Sequence, residues 1–180
     1  MYKPTYDSVS KIWSGPTRTS IYNEDANLGY LILSVIRSAP NRVFQVCDDT
    51  GAEMTSIEMY KRTIKVAEFL SNAGLKQNDV VGYVAEDSEN VSPVTVACLL
   101  LGLPISPLSP MLNEADIAYM FGKTKPKFIF CDPAEIDKVE KALAKLDVQC
   151  KIFTFKARVE GYQFVDDITG GSDNIVNDFM

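Results

Sequence analysis

One segment, from Val94 to Pro110, constrains the fold of this chain more than any other. Its apolar run, Val-Thr-Val-Ala-Cys-Leu-Leu-Leu, ends at Gly102, and prolines follow at positions 104, 107 and 110. Glycine adopts the left-handed conformation that closes a helix, and proline lacks the backbone donor that a helix needs in order to resume. We therefore predict a buried helix that ends at Gly102 and continues as a short extended strand.

The same alternation of helix and strand runs through most of the chain. Asn27 is predicted to cap one helix, and Thr55 and Glu58 form the capping box of another. Helices are predicted from Asn27 to before Pro40, from Thr55 to Ala73, up to Gly102, from Asn113 to Phe121 with Gly122 as its end, and from Asp132-Pro133 to Leu146; strands are predicted at 42–47, 79–85, near 105, at 127–131 and at 151–155. This order predicts an α/β, Rossmann-like, mostly parallel sheet with helices on both faces.

The helices predict which residues are buried, and the chain divides into three parts. The predicted apolar faces are Leu28, Leu31, Ile32, Val35 and Ile36 on the first helix, and Ile57, Tyr60, Ile64, Ala67 and Leu70 on the second. We expect residues 1–27 to form an N-terminal arm anchored by Trp13, residues 28–170 to form the folded subdomain, and residues 171–180 to be a tail. The looser pattern after Phe155 predicts loops.

Composition excludes several classes of function. The chain has no histidine, which removes Ser-His-Asp and Cys-His catalysis and histidine metal sites. A net charge of -6 argues against a nucleic-acid or anionic-membrane surface. The four cysteines, at 47, 98, 131 and 150, form no Cys-x-x-Cys pair and are interpreted as core thiols in a reducing compartment.

Three consecutive pieces of the chain together resemble the N-terminal region of one superfamily. They are the capped helix Thr55-Ser-Ile-Glu-Met-Tyr60 leading to Gly74-Leu75, the strand and loop Gln77-Asn-Asp-Val-Val-Gly-Tyr-Val84 with Glu86-Asp-Ser-Glu-Asn90, and the block with Gly102, Pro107 and Pro110. The superfamily is that of the adenylate-forming acyl-CoA synthetases, which includes firefly luciferase and the 4-coumarate-CoA ligases. The chain departs from it at Asn78, where glycine is usual.

The resemblance implies an ATP-dependent acid-thiol ligase. In such an enzyme a fatty or aromatic carboxylic acid attacks ATP to give an acyl-adenylate, and coenzyme A then displaces AMP. Charge is the physical difficulty, because a carboxylate must approach a triphosphate, so the site needs Mg²⁺, a glycine-rich backbone loop and cations. The resemblance therefore implies ATP, Mg²⁺ and CoA as cofactors of a full-length family member.

The phosphate loop of that family, Ser/Thr-Ser-Gly-Thr-Thr-Gly-x-Pro-Lys-Gly, has no match in these 180 residues. The nearest segment, Thr169-Gly-Gly-Ser-Asp173, lacks the lysine and is interpreted as a loop. We therefore assign no catalytic, cofactor-binding or metal-binding residue and expect no cofactor for this chain alone. The chain is interpreted as an N-terminal fragment or short isoform that is inactive by itself, with a carboxylic acid substrate only in the full-length parent.

For several other polar and reactive residues, a structural role and a functional role are both open. A solvated loop is favoured over a Mg²⁺ site for Glu86, Asp87 and Glu89, and an edge or gatekeeper role over phosphate binding for Lys123, Lys125 and Lys127. Tyr60 and Tyr83 are predicted to be core or half-buried. Cys131, which stands before a helix start at Asp132-Pro133, is a weak redox candidate.

The alternative to a ligase fragment is a non-catalytic interaction protein or pseudoenzyme of the same family. A parallel sheet that is cut short exposes edges and apolar faces, through which the chain could self-associate or bind another protein. No apolar run reaches the length of about 20 residues that spans a bilayer, and no secretory signal is visible. We expect an intracellular, cytoplasmic chain, with peroxisomal residence open to the full-length parent.

Overall fold

The structure, a computed structural model, describes residues 3–16, 21–23, 25–48, 51–146 and 148–170 of the chain. The elements in order are β1 (Thr5–Asp7), β2 (Ile12–Ser14), α1 (Leu28–Ser38), β3 (Val43–Val46), β4 (Glu53–Thr55), α2 (Ser56–Asn72), β5 (Val81–Val84), α3 (Val91–Leu101), β6 (Ile105–Leu108), α4 (Glu114–Thr124), β7 (Phe128–Cys131), a 3-10 turn (Pro133–Glu135), α5 (Ile136–Leu143), β8 (Lys151–Thr154), β9 (Gln163–Phe164) and α6 (Val165–Thr169).

A five-stranded sheet in the order β6-β5-β7-β8-β9 forms the centre of the molecule. Every neighbouring pair in it is parallel, and Val81 lies opposite both Ile105 and Phe128. Helices α3, α4 and α5 are the crossovers that parallel pairing demands. The prediction of an α/β parallel sheet is confirmed.

Helices cover both faces of this sheet, and the strand side chains alternate between two cores. Tyr83, Phe130 and Phe153 point to the layer of α2 and α3. Val84 and Ile129 point to the layer of α4 and α5. All residues of β5 and β7 are buried, as expected for central strands covered on both sides. Each fully buried aromatic or aliphatic side chain here stabilises the fold by about 1.5–3 kcal/mol.

Local sequence signals set several element boundaries as predicted. Gly102 ends α3 in the left-handed region with φ 66°, and Thr55 and Glu58 form the capping box of α2. Asn78, at φ 73°, also occupies the left-handed region, which explains why glycine suits that position. Gly122 is not the end of α4, contrary to prediction: the helix runs to Thr124, and Lys125 takes the left-handed conformation.

The buried face of α1 differs from the predicted one. Gly29, Leu33 and Ile36 are buried, whereas Leu28 and Val35 are exposed. The cause is the neighbouring helix α3, because a Cβ atom on Gly29 would lie 2.3 Å from the backbone nitrogen of Leu100. Helix α1 therefore turns the face with Gly29 toward α3, and the face with the most large apolar side chains is not the one that is buried. On α2, Met59 and Val66 are buried in addition to the predicted Ile64, Ala67 and Leu70, while Ile57 and Tyr60 are only partly buried.

The N-terminal arm was wrongly predicted to be anchored by Trp13. Strands β1 and β2 form an antiparallel hairpin in which Tyr6 lies opposite Trp13. The two rings are 4.9 Å apart, and Trp13 remains 68% exposed. Trp13 thus packs within its own hairpin and not onto the subdomain.

The segment after Phe155 is also more regular than predicted. Phe153 and Thr154 of β8 pair with β9, which leads directly into the short helix α6. Lys65 on α2 donates a hydrogen bond from its Nζ to the carbonyl of Thr169, 2.9 Å away, at the end of α6. None of the helices in the described residues is long and apolar enough to cross a bilayer.

Candidate functional site

The carboxyl ends of β5 and β7 meet where the sheet topology reverses. From β5 the chain crosses through α3 to β6 on one side, and the later strand β7 lies on the other side of β5. Helix α3 packs on one face and α5 on the opposite face, so the chain leaves β5 and β7 in opposite directions, and we call this edge of the sheet the crevice. In open α/β sheets such a switch point is the usual place for a ligand.

Asp132 is the central residue of this crevice. It follows β7 directly, and its backbone N–H donates to the carbonyl of Val84, 3.1 Å away. Its carboxylate Oδ2 accepts a hydrogen bond from the backbone N–H of Glu86 at 3.1 Å and pairs with Lys156 Nζ at 2.9 Å. Asp132 is 7% exposed, and its other oxygen, Oδ1, has no hydrogen-bond partner among the described residues.

Lys156 connects the ends of three strands. It stands just beyond β8, and its Nζ also lies 3.5 Å from Glu86 Oε2, which follows β5. Burial alone lowers the pKa of this amine, but the carboxylates of Asp132 and Glu86 outweigh burial and raise it overall. Lys156 therefore stays protonated at neutral pH and cannot serve as a general base.

Asn90 forms a second connection at the same end of the sheet. It is 2% exposed at the start of α3, and its Nδ2 donates to the carbonyl of Phe155 at 2.9 Å. Arg62 of α2 donates from Nη1 to Asn90 Oδ1 at 3.2 Å. A buried amide that satisfies both its donor and its acceptor fixes the loop after β5 relative to β8.

The acidic loop is exposed to solvent, as predicted. Glu86, Asp87 and Glu89 are all exposed, and Glu86, whose side chain is 71% exposed, also contacts Lys156 at 3.5 Å. The described residues contain no group of three or more aspartate, glutamate, cysteine or histidine side chains placed to hold a metal ion.

The predicted edge role of Lys123, Lys125 and Lys127 is wrong. Strand β7, which they precede, lies in the interior of the sheet between β5 and β8. Lys127 pairs instead with Asp79, with 2.8 Å between Nζ and Oδ1. This lysine, through its hydrogen bond, holds the pKa of the Asp79 carboxyl below its usual value.

Cys131 is not a redox candidate. It is fully buried, and burial raises the pKa of its thiol to about 12. Burial likewise raises the pKa of Cys98 and of Cys150 to about 12. A nucleophilic cysteine needs a lowered pKa, so none of these three thiols is a candidate nucleophile. None of the four cysteines forms a disulfide, and two of them, Cys98 and Cys131, are the core thiols that the sequence predicts.

The aromatic residues behave as predicted. Tyr83 is buried beside Cys98, and burial raises the pKa of its hydroxyl well above its usual range. Tyr60 is half-buried on α2. The candidate phosphate loop lies mostly outside the described residues, since only Thr169 and Gly170 fall within them. The assignment of no catalytic or cofactor-binding residue stays a prediction.

Sequence reasoning missed Asp132, Lys156, Asn90 and Arg62 as a group. Each of the first three directly follows a predicted strand or its loop, and carboxyl ends of parallel strands meet at one edge. That rule could have placed Asp132 and Lys156 together. The link between Arg62 and Asn90 has no such signal, because it depends on how α2 packs beside α3.

Comparison with known proteins agrees with the fold and with the sequence resemblance. The luciferase-like enzyme of the nonluminescent mealworm Zophobas morio superposes with a TM-score of 0.79 at 20% identity, over 86% of this chain and 38% of that enzyme. Luciferin 4-monooxygenase of Photuris pensylvanica is 32% identical over 89 residues, which are 49% of this chain and 16% of the relative. The peroxisomal trans-cinnamate:CoA ligase of Petunia hybrida is 27% identical over 96 residues, 53% of this chain and 17% of the relative.

The chain thus spans less than a fifth of the length of these two curated relatives. The family model described as AMP-binding enzyme matches residues 34–172, which is most of the chain. The resemblance to the adenylate-forming acyl-CoA synthetases is confirmed, and the chain belongs to the AMP-binding enzyme family.

Proposed function

We propose that residues 28–170 are the N-terminal subdomain of an AMP-binding domain, in a protein that works as an ATP- and CoA-dependent acid-thiol ligase. The observation that carries the proposal is the family match over residues 34–172, which coincides with the parallel sheet and its helices. Residues 1–27 are then an N-terminal arm that the family match does not include, and residues 171–180 are a tail that follows the subdomain in sequence. The acid would be fatty or aromatic, and a peroxisomal location is suggested by the name of the Petunia relative.

The role of this subdomain would be structural. The described residues do not fit a triphosphate or Mg²⁺, because they contain no metal-holding acidic group and the crevice cation Lys156 is already neutralised by two carboxylates. Cys98, Cys131 and Tyr83 are held protonated by burial, and Lys156 is held charged. The subdomain would therefore form part of the framework of the domain, and other segments would supply the catalytic residues.

The 180 residues alone are accordingly expected to make no acyl-adenylate. The test is ATP-pyrophosphate exchange by the purified chain, with Mg²⁺ and either a long-chain fatty acid or cinnamic acid. We expect exchange at the level of the protein-free blank. A ligase that carries the complete set of family segments is the positive control, and exchange by the 180-residue chain would contradict the proposed structural role.

A second candidate function, a non-catalytic interaction protein, has a specific observation in its favour. Three large apolar side chains, Val43, Phe44 and Val46, are exposed together on the four-residue strand β3. Exposed apolar surface of this kind marks interaction sites in folded proteins. Sedimentation of the purified chain tests self-association, and a strictly monomeric chain would contradict an interaction role in which the chain binds a second copy of itself.

A further inference from the structure

We draw no further inference here: the strongest candidate, the exposed apolar face of β3 with the polar cleft of about 250 Å³ at its carboxyl end, carries none, because nothing in the described residues shows what covers it.

Discussion

A carboxylate that is withdrawn from water needs hydrogen bonds or an opposite charge, and Asp132 receives both from residues far away in the sequence. Its Oδ2 accepts from the Glu86 N–H and pairs with Lys156. We expect Asp132→Ala to lower the free energy of unfolding by about 1–3 kcal/mol, because Lys156 keeps only the longer contact to Glu86.

A double-mutant cycle of Asp132→Ala with Lys156→Met measures the pair itself. The coupling energy should be about 0.5–3 kcal/mol, measured by urea denaturation. The comparison pair is Arg158 with Asp167, in which Arg158 is 72% exposed and the coupling should lie at about 0.2–1 kcal/mol. Equal coupling energies in the two cycles would show that the burial of Asp132 does not strengthen its pairing with Lys156.

Cys131 illustrates how burial overrides a local signal. A position just before a helix start lowers the pKa of an exposed thiol, but here burial raises the pKa to about 12. We predict that iodoacetamide labels neither Cys131 nor Cys98 in the native chain at neutral pH and labels both in urea. Peptide mass spectrometry reads the sites separately, with half-buried Cys47 as the internal comparison. Rapid native labelling of Cys131 would show that its strand opens.

At the scale of elements, the contact between α1 and α3 depends on a single glycine. A Cβ on Gly29 would meet backbone atoms of Leu99 and Leu100, with the nearest at 2.3 Å, and backbone cannot move aside as a side chain can. Gly29→Ala should therefore lower the free energy of unfolding by about 1–3 kcal/mol, although alanine is the better helix former.

The control is Gly122→Ala in α4. Its Cβ would meet only the end of the Leu146 side chain, at 3.2 Å, so we expect a neutral or slightly stabilising change. Thermal unfolding followed by circular dichroism compares the two variants. If both behave alike, close approach of α1 to α3 is not what orients the helix.

These elements also show how far the sequence could predict the fold. The ends of α2 and α3 were predictable because capping boxes and a left-handed glycine act within a few residues. The face that α1 buries was not, because Gly29 matters only beside the backbone of Leu100. The short strand β9 was missed for a similar reason, since its two residues become a strand only by pairing with β8.

At the scale of the whole molecule, the parallel sheet could be predicted from signals along the chain, whereas the polar crevice depends on contacts between distant residues. The parallel sheet follows from the repeated strand and helix order, which is written along the chain. The crevice requires three strand ends to be brought together, at Glu86, Asp132 and Lys156, and so depends on the strand order β5-β7-β8. Sequence reasoning could place Asp132 and Lys156 at the same edge of the sheet, but the contacts that they make there depend on which strands are neighbours.

We expect the tryptophan fluorescence of the N-terminal hairpin and the circular dichroism of the sheet domain to change independently during unfolding. Trp13 is the single tryptophan of the chain, it is 68% exposed, and the ring it contacts belongs to Tyr6 of the same hairpin. An isolated two-stranded hairpin is at best marginally stable, and the ring contact of Trp13 lies within its own hairpin, so its indole is hydrated whether or not the sheet is folded. Tryptophan emission should therefore stay at the wavelength of hydrated indole and fail to follow the cooperative loss of the far-ultraviolet circular dichroism signal in urea. Deletion of residues 1–16 should leave the free energy of unfolding in urea within about 0.5 kcal/mol of that of the intact chain, as for surface changes in general. A blue-shifted emission that moves with the main transition, or a clear drop in midpoint on deletion, would mean that the hairpin packs onto the subdomain in solution.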